Sequence, residues 1–222
     1  MAHRRLGYRF EDDWSEKELK DTYRDIESAV AIPVNVAIEG EQRVLDLGRA
    51  EKLLRESRLI AISDCGCHRD HRNCSAPLDV CICLDEDAEG MLKSGEYNAR
   101  KATLHEALDA LRRAHDAGLV PMAYTLAGSD KISPICNCCS CCCHTLSGLV
   151  RFGLAKHVLT SDSISETDSD SCSNCGVCEA RCQFGARTMQ DGKMHYDPDH
   201  CFGCGLCVST CSTGAIRLID RS

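Results

Sequence analysis

Residues 172–182, CSNCGVCEARC, return 29 positions later as residues 201–211, CFGCGLCVSTC. Both stretches carry cysteine at spacing C-x2-C-x2-C-x3-C: Cys172, Cys175, Cys178 and Cys182 in the first, Cys201, Cys204, Cys207 and Cys211 in the second. The correspondence runs past the thiols. Asp168 and Asp170 match Asp197 and Asp199, and Gly185-Ala186 matches Gly214-Ala215, so the last third of the chain is a duplicated small unit. Ser and Asp dominate residues 161–171, a composition suited to a flexible linker. The repeat argues otherwise: residues 164–168 stand where Met194-His195-Tyr196 should form a short strand entering the second loop. A polar edge strand is expected there, with a domain boundary near Thr160.

On these thiols, residues from about 162 to 221 resemble the bacterial dicluster ferredoxin family, in which two sets of four cysteines serve two [4Fe-4S] cubanes. In such proteins C-x2-C-x2-C wraps three thiolates around one cube, and the fourth begins a helix that reaches the other cluster. The resemblance implies one cluster on Cys172, Cys175, Cys178 and Cys211, and a second on Cys201, Cys204, Cys207 and Cys182. Zinc also takes four cysteines, commonly as two C-x2-C pairs across a longer gap; three thiols in succession, twice over, fit the cube better. Gly176, Gly203 and Gly205 suit loops whose amides approach sulfide closely and whose backbone takes positive φ. One departure from the family pattern stands out. Proline usually follows the fourth cysteine, and this chain has Gln183 and Ser212. Proline there presets φ and ligates nothing, so its loss bears on local rigidity more than on cluster binding.

Ahead of the repeat lie eleven more cysteines in two groups. The first reads as a loop holding Cys65, Cys67, Cys74, Cys81 and Cys83. The second is CNCCSCCC, residues 136–143, with Cys136, Cys138, Cys139, Cys141, Cys142 and Cys143 broken only by Asn137 and Ser140. Neighbouring side chains diverge by about 100° around a helix and to opposite sides of a strand, so consecutive thiols cannot all face one ligand set. Three arrangements remain open: the octet feeds two centres on either side of itself, holds an enlarged or non-cubane cluster, or leaves some thiols unligated. Cys65, Cys67, Cys74 and Cys81 form the expected [4Fe-4S] set of the first loop. The combination of C-x-C, C-x6-C, a capped helix ending in Gly-Leu-Val and CNCCSCCC ahead of a ferredoxin module looks like cysteine-rich iron-sulfur proteins of anaerobes. That resemblance covers most of residues 59–211 and implies that the two halves belong together.

The surrounding pattern predicts an α+β fold: a mixed N-terminal cysteine-rich domain over 1–160, then a pseudo-twofold ferredoxin-like domain over 161–222. Ser15 and Glu18 form a capping box for a helix through Val30, and Asp46 is placed to cap LGRAEKLLRESRL. IPVNVAI at 32–38 and LIAIS at 59–63 read as strands. Thr103 and Glu106 cap a helix with Leu104, Ala107, Leu108 and Leu111 on one face and Gly118 at its end, followed by strand VPMAYTL. This helix–strand order occurs in winged helices, but structural use is the preferred reading. HTLSGLVRFGLAKHVL after the octet reads as helix. His68, His71 and His144 are read as surface histidines, Trp14 as a packing residue, and Arg69 and Arg72 as charges that offset thiolate.

Composition narrows function. Nineteen cysteines, an odd number, cannot all pair within the chain, and thiols at short spacings in a reducing cytoplasm are better explained by metal. Net charge is -8, with nine acidic and five basic residues in 161–222 and 25 and 21 before it, so nucleic acid is not an expected partner. MAHRRLGYRFEDDW has paired arginines but no apolar run after them, so export is not expected, nor is a membrane span. No Gly-rich phosphate loop occurs, and flavin and nicotinamide sites are unsupported. An electron carrier with two C-terminal [4Fe-4S] clusters and one or two N-terminal clusters, exchanging electrons with a redox partner protein, is preferred. The alternative is a reductase whose N-terminal cluster binds a small-molecule substrate. A cluster-based DNA-binding regulator lacks the basic residues it would need.

Overall fold

The protein's structure is a computed structural model describing residues 4–39, 42–154 and 156–221, and the side chains among them outside 37–46. It mixes helices and strands, as the α+β reading expects. The Ser15 hydroxyl accepts from the Glu18 amide, and the Glu18 carboxylate accepts from the Ser15 amide, closing the capping box of α1 (Glu16–Thr22). This helix ends sooner than the pattern suggests. Residues Ile26–Ala31 form strand β1 instead, because they pair with neighbours on both sides, and tertiary pairing outweighs helix propensity. A hairpin follows, β2 (Asn35–Glu39) with β3 (Gln42–Asp46). Helix α2 (Gly48–Glu56) is entered from Leu47 without a side-chain cap; the Asp46 side chain lies outside the described residues.

The buried strand β4 (Ile60–Ser63) comes next, as expected. The first cysteine stretch is less loop-like than its composition suggests. It forms α3 (Gly66–His71) and β5 (Cys81–Leu84), where Ile82 lies between Ile62 and Ile135. Then come α4 (Asp85–Ser94), β6 (Arg100–Lys101), the Thr103-capped α5 (Leu104–Asp116) and β7 (Val120–Leu126). Strand β8 (Ile132–Cys138) carries the octet's first two cysteines. After the octet, α6 (His144–Ser147) and a π-helical turn at Gly148–Phe152 stop at Gly153, whose φ is +69°. Val158–Leu159, expected to be helical, form β9 parallel to β1.

These strands build one sheet in the order β6-β4-β5-β8-β7-β1-β9. Ile62, Ile82 and Ile135 pack with Leu54 of α2 and with Ala107 and Leu111 of α5. Cys83 and Ala61 pack instead with Ala88 of α4. Alternation along each strand sorts side chains between these layers.

The C-terminal repeat folds as two strand–helix–strand halves: β10 (Ser163–Thr167), α7 (Val177–Arg181) and β11 (Arg187–Gln190), then β12 (Lys193–Tyr196), α8 (Leu206–Thr210) and β13 (Ile216–Asp220). Strand β10 pairs with β13 and β11 with β12, so the halves are intertwined. The polar strand expected near 164–168 is β10. Apolar packing continues across residue 160: Phe184, stacked on Phe202 at 4.3 Å, and Leu206 share a cluster with Ile26, Met122 and Leu146. Polar groups reinforce this junction. Arg181 donates to the Asp116 carbonyl at 2.8 Å and the His115 carbonyl at 2.5 Å, at the end of α5. Val34 donates its amide to the Cys204 carbonyl at 3.1 Å.

Gly205, at φ +79°, makes that approach possible, since a Cβ there would collide with the Val34 carbonyl. Gly205→Ala should therefore lower stability by about 1–3 kcal/mol, read as a reduced melting temperature of the full chain. Acid should also weaken the junction. Burial, then the nearby Arg181 charge, lowers the His115 pKa from 6.5 to about 4 while its Nε2 lies 2.7 Å from Ser209 Oγ. Between those values the unfolded chain binds the extra proton, so stability should fall as pH drops through the window. His115→Gln should flatten that part of a pH series of thermal melts.

Candidate metal centres

The repeat brings its thiols into the two sets that the ferredoxin resemblance implies. Cys172, Cys175, Cys178 and Cys211 line one cavity with Thr167, Arg187 and Ile216. Cys182, Cys201, Cys204 and Cys207 interact electrostatically with one another. Each loop begins its helix from a glycine in the left-handed region, Gly176 at φ +76° and Gly205 at +79°, which turns backbone amides toward sulfur. The Val177 amide lowers the Cys175 pKa. Burial pushes Cys201 up, but the Tyr196 hydroxyl and the Ser165 and Gly203 amides outweigh it and lower its pKa. Donors aimed at Cys175 and Cys201 favour their thiolates, while burial pushes Cys178, Cys204 and Cys207 up. Four clustered sulfurs in each set suit iron-sulfur ligation.

Arg187 lies between the sets. Its side chain is fully buried, donates to Thr167 Oγ1 and Ser165 Oγ at 2.9 Å each, and lies over the Tyr196 ring at 4.6 Å. Burial opposes its charge, while Cys207 and Cys178, one from each set, more than offset this and raise its pKa. The arginines expected to balance thiolates are occupied elsewhere: Arg69 covers the Tyr97 ring at 4.4 Å, and Arg72 donates to the Arg69 carbonyl. Arg4, which the sequence reading passed over, donates to the Cys182 carbonyl at 3.1 Å and interacts with Cys141 and Cys139.

The N-terminal thiols divide into two groups. Cys65, Cys67, Cys81, Cys136, Cys138 and Cys143 surround a cavity of about 270 Å³ that Trp14, Asp70 and Tyr97 also line. Neighbouring thiols interact around it: Cys65 with Cys67 and Cys81, Cys81 with Cys136, Cys67 with Cys143, and Cys143 with Cys138. Beside it, Cys74, Cys139 and Cys142 gather with His68. Cys141 interacts with Cys139 and Cys74 from outside that set. The grouping Cys65, Cys67, Cys74 and Cys81 is thus not the one assembled, because Cys74 follows the end of α3 and turns toward the octet. Cys83 stands apart, packed against Ala61 and Ala88, and burial pushes its thiol up to about 12.

Two histidines read as surface residues belong to these groups. His68 is 2% exposed, with Nε2 3.2 Å from Cys139 Sγ, and its ring also interacts with Cys65 and Cys74. His144 Nδ1 lies 3.1 Å from Cys67 Sγ. His71 lies 2.9 Å from the Asp12 carbonyl and packs on Trp14. Trp14 in turn donates Nε1–H to the Cys142 carbonyl at 2.8 Å. The α3 helix explains the histidine placement: His68 falls on its inner face, which three-residue spacing in a short segment does not reveal.

Asn137 and Ser140, the breaks in the octet, are both buried and both bonded. Asn137 donates to the Val80 carbonyl at 2.6 Å. Ser140 donates its amide and hydroxyl to Gln183 Oε1 at 3.1 and 3.0 Å, and Gln183 donates Nε2–H to the Gly118 carbonyl at 2.7 Å. Gln183 is the residue that replaces proline, so the departure from the ferredoxin pattern ties the two cysteine regions together. Gln183→Pro, which restores the family residue, and Gln183→Ala both strand these buried groups. Each should destabilise the full chain by about 1–3 kcal/mol per unsatisfied group in denaturant unfolding, while leaving the iron of the C-terminal sets in place.

No curated protein matches the chain. Residues 171–215, which hold all eight thiols of the repeat, match the family of 4Fe-4S dicluster domains.

Proposed function

We propose that this iron-sulfur protein is an electron carrier in which the dicluster domain exchanges electrons with a partner and with a further iron-sulfur cluster held by the six thiols around the N-terminal cavity. The observation carrying this reading is the junction itself: Cys182 and Cys204 of the second C-terminal set pack in one apolar cluster with Cys136, Cys138 and Cys143 of that cavity, and Gln183, next to Cys182, is hydrogen-bonded to the octet at Ser140. Arg4 spans the same gap, facing Cys182 on one side and Cys139 and Cys141 on the other. Bound clusters would supply one-electron redox chemistry. The chain's own residues position and bias them. Arg187 sets a buried positive charge beside a thiol of each set, which favours the reduced, more negative state.

Cys175 is exposed, whereas Cys201, Cys204 and Cys207 are buried. The first set is therefore the edge that a partner reaches. Asp168 and Asp170 are exposed just before Cys172, so a docking partner with a basic face fits this edge. Among the described residues no helix is long and apolar enough to cross a membrane.

A reductase is the second reading, favoured by one observation. Six thiols border the N-terminal cavity, more than the four a cubane takes, and Trp14, Asp70 and Tyr97 give it a mixed apolar and acidic wall. Anaerobic purification with iron and acid-labile sulfide counts tests both. The carrier predicts about eight irons from the dicluster domain plus at least about four more, by four-iron arithmetic. Cys204→Ser should remove about four of these. Eight irons alone would eliminate the N-terminal cluster, and colourless material without labile sulfide would eliminate the whole reading. An EPR signal of the reduced protein that changes shape with small sulfur ligands would favour the reductase.

A further inference from the structure

His68, Cys74, Cys139 and Cys142 are closer together than a cubane permits. Nε2 of His68 and the three Sγ atoms all lie within 4.8 Å of one another. Three edges of this figure are 3.2 Å from His68 to Cys139, 3.8 Å from Cys74 to Cys139, and 3.7 Å from Cys74 to Cys142. A tetrahedral metal with metal–sulfur bonds of about 2.3 Å has sulfur–sulfur edges of about 3.8 Å, and slightly shorter edges to a nitrogen. Thiolates on a [4Fe-4S] cube stand roughly 6 Å apart, because four irons and four sulfides lie between them. The dicluster domain provides an internal comparison. Among the described residues, no other three Cys, His, Asp or Glu ligand atoms gather within 4.8 Å, the two four-cysteine sets included.

The geometry points to a mononuclear tetrahedral metal centre, formed by His68, Cys74, Cys139 and Cys142, that holds zinc and is separate from every iron-sulfur cluster of the chain. Its local structure is that of a metal knuckle. Cys139 and Cys142 are a C-x2-C pair on a tight turn, and the Cys142 amide donates to Cys139 Sγ at 3.3 Å. The turn is held at each carbonyl. Arg151 Nε–H donates to the Ser140 carbonyl at 2.7 Å, Asn73 to the Cys141 carbonyl at 3.1 Å, and Trp14 to the Cys142 carbonyl at 2.8 Å. Arg151 is itself fully buried and paired with Asp13.

Three of the four ligand residues are buried, and all four positions of the tetrahedron are filled by protein. A closed Cys3His set is the structural form of a zinc site, with no position left for substrate. Its effect is to tie the end of α3 to the octet, which fixes the wall of the adjacent six-thiol cavity. This assignment does not depend on electron transfer, since the iron of the dicluster domain is counted in the same sample.

The test is elemental analysis of anaerobically purified full-length chain, followed by X-ray absorption at the zinc edge. About one zinc per chain is expected, with three sulfurs at about 2.3 Å and one nitrogen at about 2.0–2.1 Å. His68→Ala and Cys142→Ser should each reduce zinc from about one to near zero with the dicluster iron retained, whereas Cys83→Ser should keep it. Iron-replete protein without zinc, or zinc in an oxygen-rich shell, would overturn the proposal. If the variants fail to fold, the wild-type absorption spectrum decides alone.

Discussion

Gln183 holds its two amide ends against two different parts of the chain, the octet turn at Ser140 and the end of α5 at Gly118. Both partners are buried, so water offers no substitute for these bonds, and the spacing between the repeat and the sheet is fixed by them. The apolar packing of Phe184 and Leu206 supplies area to the junction, but area is not directional. Hydrogen bonds and the close backbone approach at Gly205 give it one geometry. Everything proposed about communication between thiol groups depends on that geometry.

The octet shows how six cysteines can be crowded together without serving one ligand set. Cys136 and Cys138 are two apart on β8, and both reach the six-thiol cavity, while the Asn137 side chain between them donates to the Val80 carbonyl. The strand then ends, and the turn carries Cys139, Cys141 and Cys142 to the neighbouring group. Cys143, at the entrance to α6, returns to the first cavity. A strand, a turn and a helix start within eight residues thus distribute the thiols to two sides. Of the three arrangements left open by the sequence, this distribution supports the proposal that the octet feeds two centres.

Where ligand spacing is local, the sequence was sufficient. Three thiols at x2 spacing mark each C-terminal loop, whereas the exchange of Cys182 and Cys211 between the halves came from the ferredoxin resemblance and not from spacing; capping boxes mark α1 and α5 because their partners lie three residues apart. Long-range partners were hidden. Ser15–Val30 carries helical signals, yet Ile26–Ala31 becomes a strand because β7 and β9 flank it. Cys74 joins Cys139 and Cys142, which are 65 and 68 residues away, and no spacing rule connects them. His68 and Arg187 look like ordinary polar residues in sequence, and only their burial beside sulfur sets them apart. The substitution of Gln183 for proline was visible, but its partner Ser140 was not.

Two halves descended from one unit need not remain interchangeable. The first loop of the repeat keeps Cys175 open to solvent, while its counterpart Cys204 is enclosed, with Val34 bonded to its carbonyl. Docking against the sheet has therefore given a symmetric module a front and a back. Identical ligand spacing thus occurs at two addresses of unequal access, one loop reachable from solvent and its twin closed off by the rest of the chain.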